Sequence, residues 1–349
     1  MTGGVQVRDT SMAQEVAALA ESILEEHADP AVGGIDLPAW KMLSDSGLTD
    51  LLAPEEVGGA GAGWAEVGAV LGEVGAAAAR LPILEHDVLS GWLLDCAGLP
   101  RRDGEVRTAG LFADGVSGWV DFAGQADRIV VLRATDDHQW AVGVLDGEAG
   151  ASTDADRDGH TRVRWTPGTE ERVVAPEVAE EYRLRVALSR AAMIVGSSRR
   201  IVELTVEHVT SREQFGRTLA KFQGVQHLVS ATAAEASLIQ AAVDGAIGVV
   251  GGLSLRDPHV RLAVLSAASC AAHGAAVVAR NAHQVLGAMG YTLEHPLHRY
   301  TNRILTWRSE AYSVRDLDLA VLRAATASDV AELWSLLVDA TPAQERGAP

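Results

Sequence analysis

Apolar residues recur at three- and four-residue spacing through most of this chain, with one central interruption. Residues 1–104 read as short helices joined by glycine-rich turns. The spacing predicts helices within "AQEVAALAESILEEH" and "LPAWKMLSDSGL", the second starting at Pro38 and ending at Gly47, where the two residues suit a helix start and stop. "APEEVGGAGAG" is a loop, and "WAEVGAVLGEVGAAAARL" resumes helix. Residues 105–177 change to short β-branched and aromatic runs, "ADRIVVLRA", "QWAVGVLDG" and "HTRVRWTP", bounded by the Asp- and Gly-rich "TDDH" and "GEAGASTDADRDG". These predict a small antiparallel sheet module. Residues 178–349 return to helix with longer elements. The stretch 184–210 would span roughly 40 Å, 222–250 carries Val225, Leu228, Val229, Ile239 and Val243 on one stripe, and 258–286 is rich in alanine, which lets helices approach closely. Long helices with short connections form a four-helix bundle. The expected architecture is mostly α, in three domains: a helical one, a reduced β module and a bundle.

The chain has 349 residues, more than the ~150 typical of one domain, which agrees with several modules. A formal net charge of -18 argues against nucleic acid or an anionic membrane as partner. It leaves room for an anionic cofactor, because local arginines and helix N-termini hold phosphates even in an acidic protein. Cys96 and Cys270 supply neither a disulfide framework nor a zinc spacing. The opening segment is amphipathic and acidic, unlike a signal sequence, and the alanine-rich segments carry charges that suit buried bundle helices, not membrane spans. A cytoplasmic protein is expected.

Two segments hold candidate chemistry. In "TSREQFGRTLAKFQGVQH", Arg212 and Arg217 bracket a turn at Gly216, with Gln214 and Phe215 between them and Gln223 beyond. Guanidinium forks suit a diphosphate; the alternative is a polar loop capping two helices. In "HQVLGAMGYTLEHPLHRY" a helix breaks at Gly287, Gly290 follows, and Pro296 fits the first turn of another helix. Gln284 and the glycine N–H groups suit an amide- or phosphate-rich ligand; here too a plain helix end is the alternative. His295 and His298 stand three apart beside Glu294, with no third ligand in place, so no metal site is expected. There is no G-x-S-x-G elbow and no G-x-G-x-x-G after a strand.

Together the two segments resemble the C-terminal domain of the acyl-CoA dehydrogenase family. The resemblance rests on R-x-x-F-G followed by F-Q-x-x-Q (Arg212, Phe215, Gly216, Phe222, Gln223, Gln226). It also rests on Gln284, Gly287, Gly290, Tyr291, Thr292, Glu294 and Pro296, with Ala288 in place of a second glycine. "LSDSGLTDLLAPEEVGGAGAGWAEVGAVLGEVG" is similar to the family's N-terminal helical domain. The resemblance implies FAD held between a β module and two helical domains, and α,β-dehydrogenation of an acyl-CoA thioester with an electron-transfer flavoprotein or similar acceptor. It implies that Arg212 and its neighbours bind FAD of one subunit while the Gln284–Gly290 loop approaches the FAD of a partner.

The chemistry needs a carboxylate to take an α-proton and a flavin to take the β-hydride. Relatives place the base after the proline helix, where Glu310 lies about one residue from the expected register, or on the first long bundle helix, where Val186 stands. Trp119 to Asp121 resembles the flavin-flanking strand, while the motif before it is eroded. A shortened chain of this kind resembles the smaller subunits of actinobacterial heterotetrameric acyl-CoA dehydrogenases. Expected assemblies are a homodimer or a heterotetramer with a larger homologous subunit. The other readings are a catalytically silent scaffold subunit and a non-redox enzyme on the same fold.

Overall fold

The computed structural model describes residues 10–147, 151–155, 160–166 and 169–327. The first nine residues, parts of the Asp- and Gly-rich turn, and the stretch expected to end the C-terminal domain beyond residue 327 lie outside them. The protein is mostly helical, as the spacing predicts.

Helices α1 (Thr10–His27), α2 (Leu37–Asp45) and α3 (Trp64–Ala76) open the chain. Asp36 caps α2 through the Ala39 N–H, and Pro38 sits in its first turn. A π-helix, Leu84–Gly91, runs directly into α4 (Trp92–Ala97). The sequence does not announce the π-helix, a rare i→i+5 form that depends on its tertiary surroundings.

The middle region is two sheets, not the single antiparallel module expected. Strands β1 (Arg107–Phe112), β3 (Arg128–Ala134), β4 (Trp140–Asp146) and β7 (Glu171–Val174) form one sheet in the order β1-β3-β4-β7. β2 (Ser117–Asp121), β6 (His160–Arg164) and β5 (Ala151–Ala155) form another, in the order β2-β6-β5. β1 and β3 pair in parallel, because the chain visits the second sheet as β2 before it returns. Phe112, Val120, Ile129, Val131, Leu145 and Val163 fill the space between the sheets.

Helix α5 (Val178–Ser211) has 34 residues and starts earlier than the spacing predicts. It is followed by a short hairpin of β8 (Glu213–Gln214) and β9 (Arg217–Thr218), then α6 (Gln223–Val250) and α7 (Pro258–Leu286). α8 (Leu297–Trp307) and α9 (Val314–Thr326) follow, and α9 packs on α7 to complete the bundle. The connections 212–222 and 251–257 reverse the chain twice, which leaves the C-terminal ends of α5 and α7 together. α3 crosses α5 at backbone contact: a Cβ on Gly196 would lie 1.8 Å from the Gly72 carbonyl oxygen, and Ser197 Oγ donates to the Gly75 carbonyl at 2.8 Å. That crossing fixes the N-terminal helices against α5.

Two helical stretches, 223–250 and 258–291, are long and apolar enough to cross a membrane by length and composition. The second is 61% buried inside the bundle over its most apolar window and the first only 22%, so α6 carries an apolar surface that the described residues do not cover.

Candidate active site

A cleft of about 430 Å³ opens where the π-helix, β1, β2, the first turns of α5 and the segment after α8 meet. Trp119, 53% exposed, forms its outer wall. Val186 and Glu310 line the same cleft. The two positions where relatives place a base therefore face one space, although they are far apart in sequence. Val186 offers only hydrocarbon, and Glu310 is the carboxylate.

Glu310 is held by Arg190, a residue the motif search passed over. Arg190 donates from Nε to Glu310 Oε2 at 2.7 Å and from Nη2 to Glu310 Oε1 at 3.0 Å. The same Nη2 lies 2.7 Å from Glu85 Oε1 and 2.8 Å from Asp121 Oδ2. Its side chain is only 5% exposed. Three carboxylates thus surround one guanidinium. Burial works against the Arg190 charge, but Glu310, Glu85 and Asp121 outweigh it and hold the proton more firmly than in an ordinary arginine. Glu85 bears the opposite consequence: burial, reinforced by Asp121 and Glu310 and opposed by Arg190, pushes its carboxyl up to about 7. Its Oε2 has no hydrogen-bond partner. Tyr182, buried beside the cluster, has its phenol pushed up by burial and then by Glu310 and Glu85. The cleft can therefore hold or release a proton near its floor, at Glu85.

The π-helix has a second charged face. His86 Nε2 lies 3.2 Å from both Asp50 oxygens, and the Arg107 backbone N–H donates to His86 Nδ1 at 3.0 Å. Arg107 Nη2 donates to Asp50 Oδ1 at 2.8 Å. Burial opposes the Asp50 charge, yet His86 and Arg107 hold its carboxyl down to about 2. Asp87, whose Oδ2 accepts the Leu52 N–H at 2.8 Å, is pushed up to about 7 by burial. Three consecutive titratable residues inside an apolar run, "LEHD", are the signal in the sequence that could have marked this element.

The residues expected to hold a cofactor lie elsewhere, at the far end of the bundle. Arg212 follows α5, and Gln214, Phe215 and Arg217 form the hairpin, whose two central residues have positive φ (55° at Phe215, 77° at Gly216), as a tight two-residue turn requires. Phe215 is 89% exposed, and Arg217 stacks 4.1 Å over the Phe222 ring. Gln223 begins α6 on the exposed surface. Among the described residues, neither Arg212 nor Arg217 has a carboxylate partner, so both guanidinium groups are open to an anion. Gln284 and Gly287 are exposed at the end of α7, beside the α5 end. Gly287 has φ 58° with open space where a Cβ would stand, whereas a Cβ on Gly290 would lie 3.0 Å from Leu286 Cβ. Gly290 is therefore explained by packing, and Gly287 by helix termination.

The structure gathers Arg212, Gln214, Phe215, Gln223, Gln284 and Gly287 at one end and leaves Trp119 and Glu310 at the other. Between Val186 and Arg212, α5 runs 26 residues, roughly 39 Å at 1.5 Å per residue. An extended dinucleotide does not reach that far. The far end offers guanidinium and amide donors and the cleft an exposed indole ring at Trp119, but one dinucleotide cannot reach both within one chain. His295 and His298 serve the α8 entry: His295 Nδ1 accepts the Leu297 N–H at 3.2 Å, and His298 Nδ1 lies 2.8 Å from the His295 carbonyl. Among the described residues no group of His, Cys, Asp and Glu suits a metal ion.

Comparison with known proteins bears on both ends. Residues 7–98 match the model of the acyl-CoA dehydrogenase N-terminal domain, and residues 183–309 match that of the acyl-CoA dehydrogenase C-terminal domain. The chain is 28% identical over 339 residues to acyl-CoA dehydrogenase FadE27 of Mycobacterium tuberculosis, covering 83% of this chain and 91% of that protein. It is 26% identical over 295 residues to acyl-CoA dehydrogenase IpdE2 of the same organism, covering 81% and 87%. Among solved structures, the ChsE4-ChsE5 complex of M. tuberculosis gives a TM-score of 0.83 at 23% identity over 92% of this chain and 99% of that one. A variant of the Tcur3481-Tcur3483 steroid ACAD gives 0.79 at 20% identity over 90% and 98%.

Proposed function

The chain belongs to the acyl-CoA dehydrogenase family, and from that premise we propose that it works as one subunit of an FAD-dependent oxidoreductase that dehydrogenates an acyl-CoA thioester between Cα and Cβ. The observation that carries this reading is the separation along α5. Diphosphate donors stand at one end and the Trp119 strand with its carboxylate-lined cleft at the other, so a flavin held at both needs a second subunit. The uncovered apolar surface of α6 supports the same assembly. A heterotetramer with a larger homologous subunit is the form proposed, in keeping with the likeness to a chain of the ChsE4-ChsE5 complex. FAD, when bound, supplies the acceptor for the β-hydride, and an electron-transfer flavoprotein or similar carrier is the proposed onward acceptor.

In this reading Arg212 and Gln284 anchor the anionic part of the cofactor, Trp119 packs against its ring, and Glu310 takes the α-proton. The proposed substrate is a bulky acyl thioester of lipid or steroid side-chain breakdown, handled in the cytoplasm. One observation favours a second reading, a scaffold subunit whose partner carries the chemistry: both Glu310 oxygens already accept hydrogen bonds from Arg190. Stopped-flow reduction of the flavin by an acyl-CoA separates the two. If Glu310 is the base, Glu310→Gln slows bleaching by several orders of magnitude while thioester binding persists. Unimpaired bleaching in the mutant assembly moves the base to the partner.

A further inference from the structure

Behind the Asp121–Arg190 pair lies a second cavity of about 230 Å³. Its wall carries Arg80, Arg190, Arg299 and Arg303, with Asp121 the one carboxylate in the lining and already bound to Arg190. Arg190 is taken up by its three carboxylates and Arg80 has interactions of its own, which leaves Arg299 and Arg303 as the cations of this cavity that call for a counter-charge. Arg303 donates from Nη1 to the Ala79 carbonyl at 2.9 Å and has no carboxylate partner among the described residues. Arg299, exposed only in part, likewise has none. Arg80 lies 5.5 Å from the Phe122 ring centroid. Burial, and after it the neighbouring Arg80 and Arg190, draws the Arg303 guanidinium down to about 10 against the pull of Tyr300 and Asp121, the direction expected of a largely enclosed cation whose counter-charge is incomplete.

We propose that this cavity is a binding site for a small oxyanion, a carboxylate or phosphate group gripped by the guanidinium forks of Arg303 and Arg299 beside Trp307. Two facts determine the chemical class. Buried charge is tolerated when paired and hydrogen-bonded, and is costly otherwise. A guanidinium also presents parallel N–H groups that match the two oxygens of a carboxylate or phosphate. The cavity is too small for a nucleotide, and its cationic wall disfavours a metal or an amine. The site goes beyond the dehydrogenase reading and does not depend on it.

The test is urea unfolding of the full chain with added inorganic phosphate or malonate, against sodium chloride at matched ionic strength. Either oxyanion is expected to raise the unfolding midpoint with saturation, and the stronger one identifies the group as phosphate or carboxylate. Arg303→Leu should weaken oxyanion binding by roughly tenfold or more and, by removing a partly buried charge with no carboxylate partner among the described residues, should raise the midpoint measured without oxyanion. Arg303→Lys should keep part of the binding. No rise over chloride with either oxyanion, or a rise that persists undiminished in Arg303→Leu, overturns the proposal.

Discussion

The two ends of α5 treat arginine in opposite ways. At the N-terminal half Arg190 is buried and held by three carboxylates; at the C-terminal end Arg212 is exposed, with no carboxylate paired to it among the described residues. A guanidinium surrounded by the protein's own acids has no capacity left for a ligand and serves to hold those acids in place. One left without acids, on a hairpin fixed by a tight turn, is available to an anion from outside. Residue type alone does not distinguish the two roles; the neighbours do.

The comparison breaks first at Arg190. Arg190→Leu leaves Glu85, Asp121 and Glu310 facing one another with no cation, and removing one partner of a buried ion cluster costs about 3 to 5 kcal/mol. Urea denaturation should show that loss as a shifted midpoint with an unchanged slope. A loss below about 1 kcal/mol would mean that the cluster is hydrated and that the two ends differ less than the geometry states.

pH sharpens the same contrast. Glu85 titrates near 7 in the folded chain against about 4.5 in the unfolded one, so between these values the folded state holds a proton that the unfolded state has released. The stability from that proton is complete below about 4.5 and is lost as pH rises towards 7, a change of a few kcal/mol. Asp87 acts in the same direction. Asp50, held down to about 2, acts the other way, contributing above about 4 and losing its contribution as pH falls towards 2. Glu85→Gln should flatten the decline between pH 4.5 and 7 while leaving the acid limb in place. An unaltered profile would remove Glu85 from the titrating set.

At the open end the expected effect is smaller and falls on binding. Arg212→Ala removes a charge-assisted contact worth ~1.5 to 3 kcal/mol, a roughly tenfold to hundredfold loss of FAD affinity, with the unfolding midpoint unchanged. Flavin fluorescence titration of the assembled protein measures it, and equal affinity in mutant and wild type would exclude Arg212 from the site.

How much of this was legible in the sequence follows from the range of each interaction. The helices, the turn at Gly216 and the break at Gly287 are set by local periodicity and turn chemistry, and they fall where the spacing places them, except that α5 starts earlier. The π-helix and the parallel pairing of β1 with β3 depend on contacts distant in sequence and were missed. Of the site, Glu310 and Val186 were marked by position, and the structure brings both to one cleft. Arg190 was overlooked because a single arginine in "VALSRAAMIVG" looks like a tolerated charge on an apolar helix. Its meaning appears only when residues 85, 121 and 310 meet it. The same three-dimensional view places the Arg212 hairpin and the Gln284–Gly287 loop at one end of the bundle.

The central claim is that the flavin site is shared between subunits. Analytical ultracentrifugation of the reconstituted protein, followed at both the protein and the flavin absorption bands, tests it most directly. The account predicts that flavin absorbance sediments only with a dimer or larger assembly, and that diluting the assembly to monomer releases it. A monomer sedimenting with stoichiometric, tightly bound FAD would contradict the account.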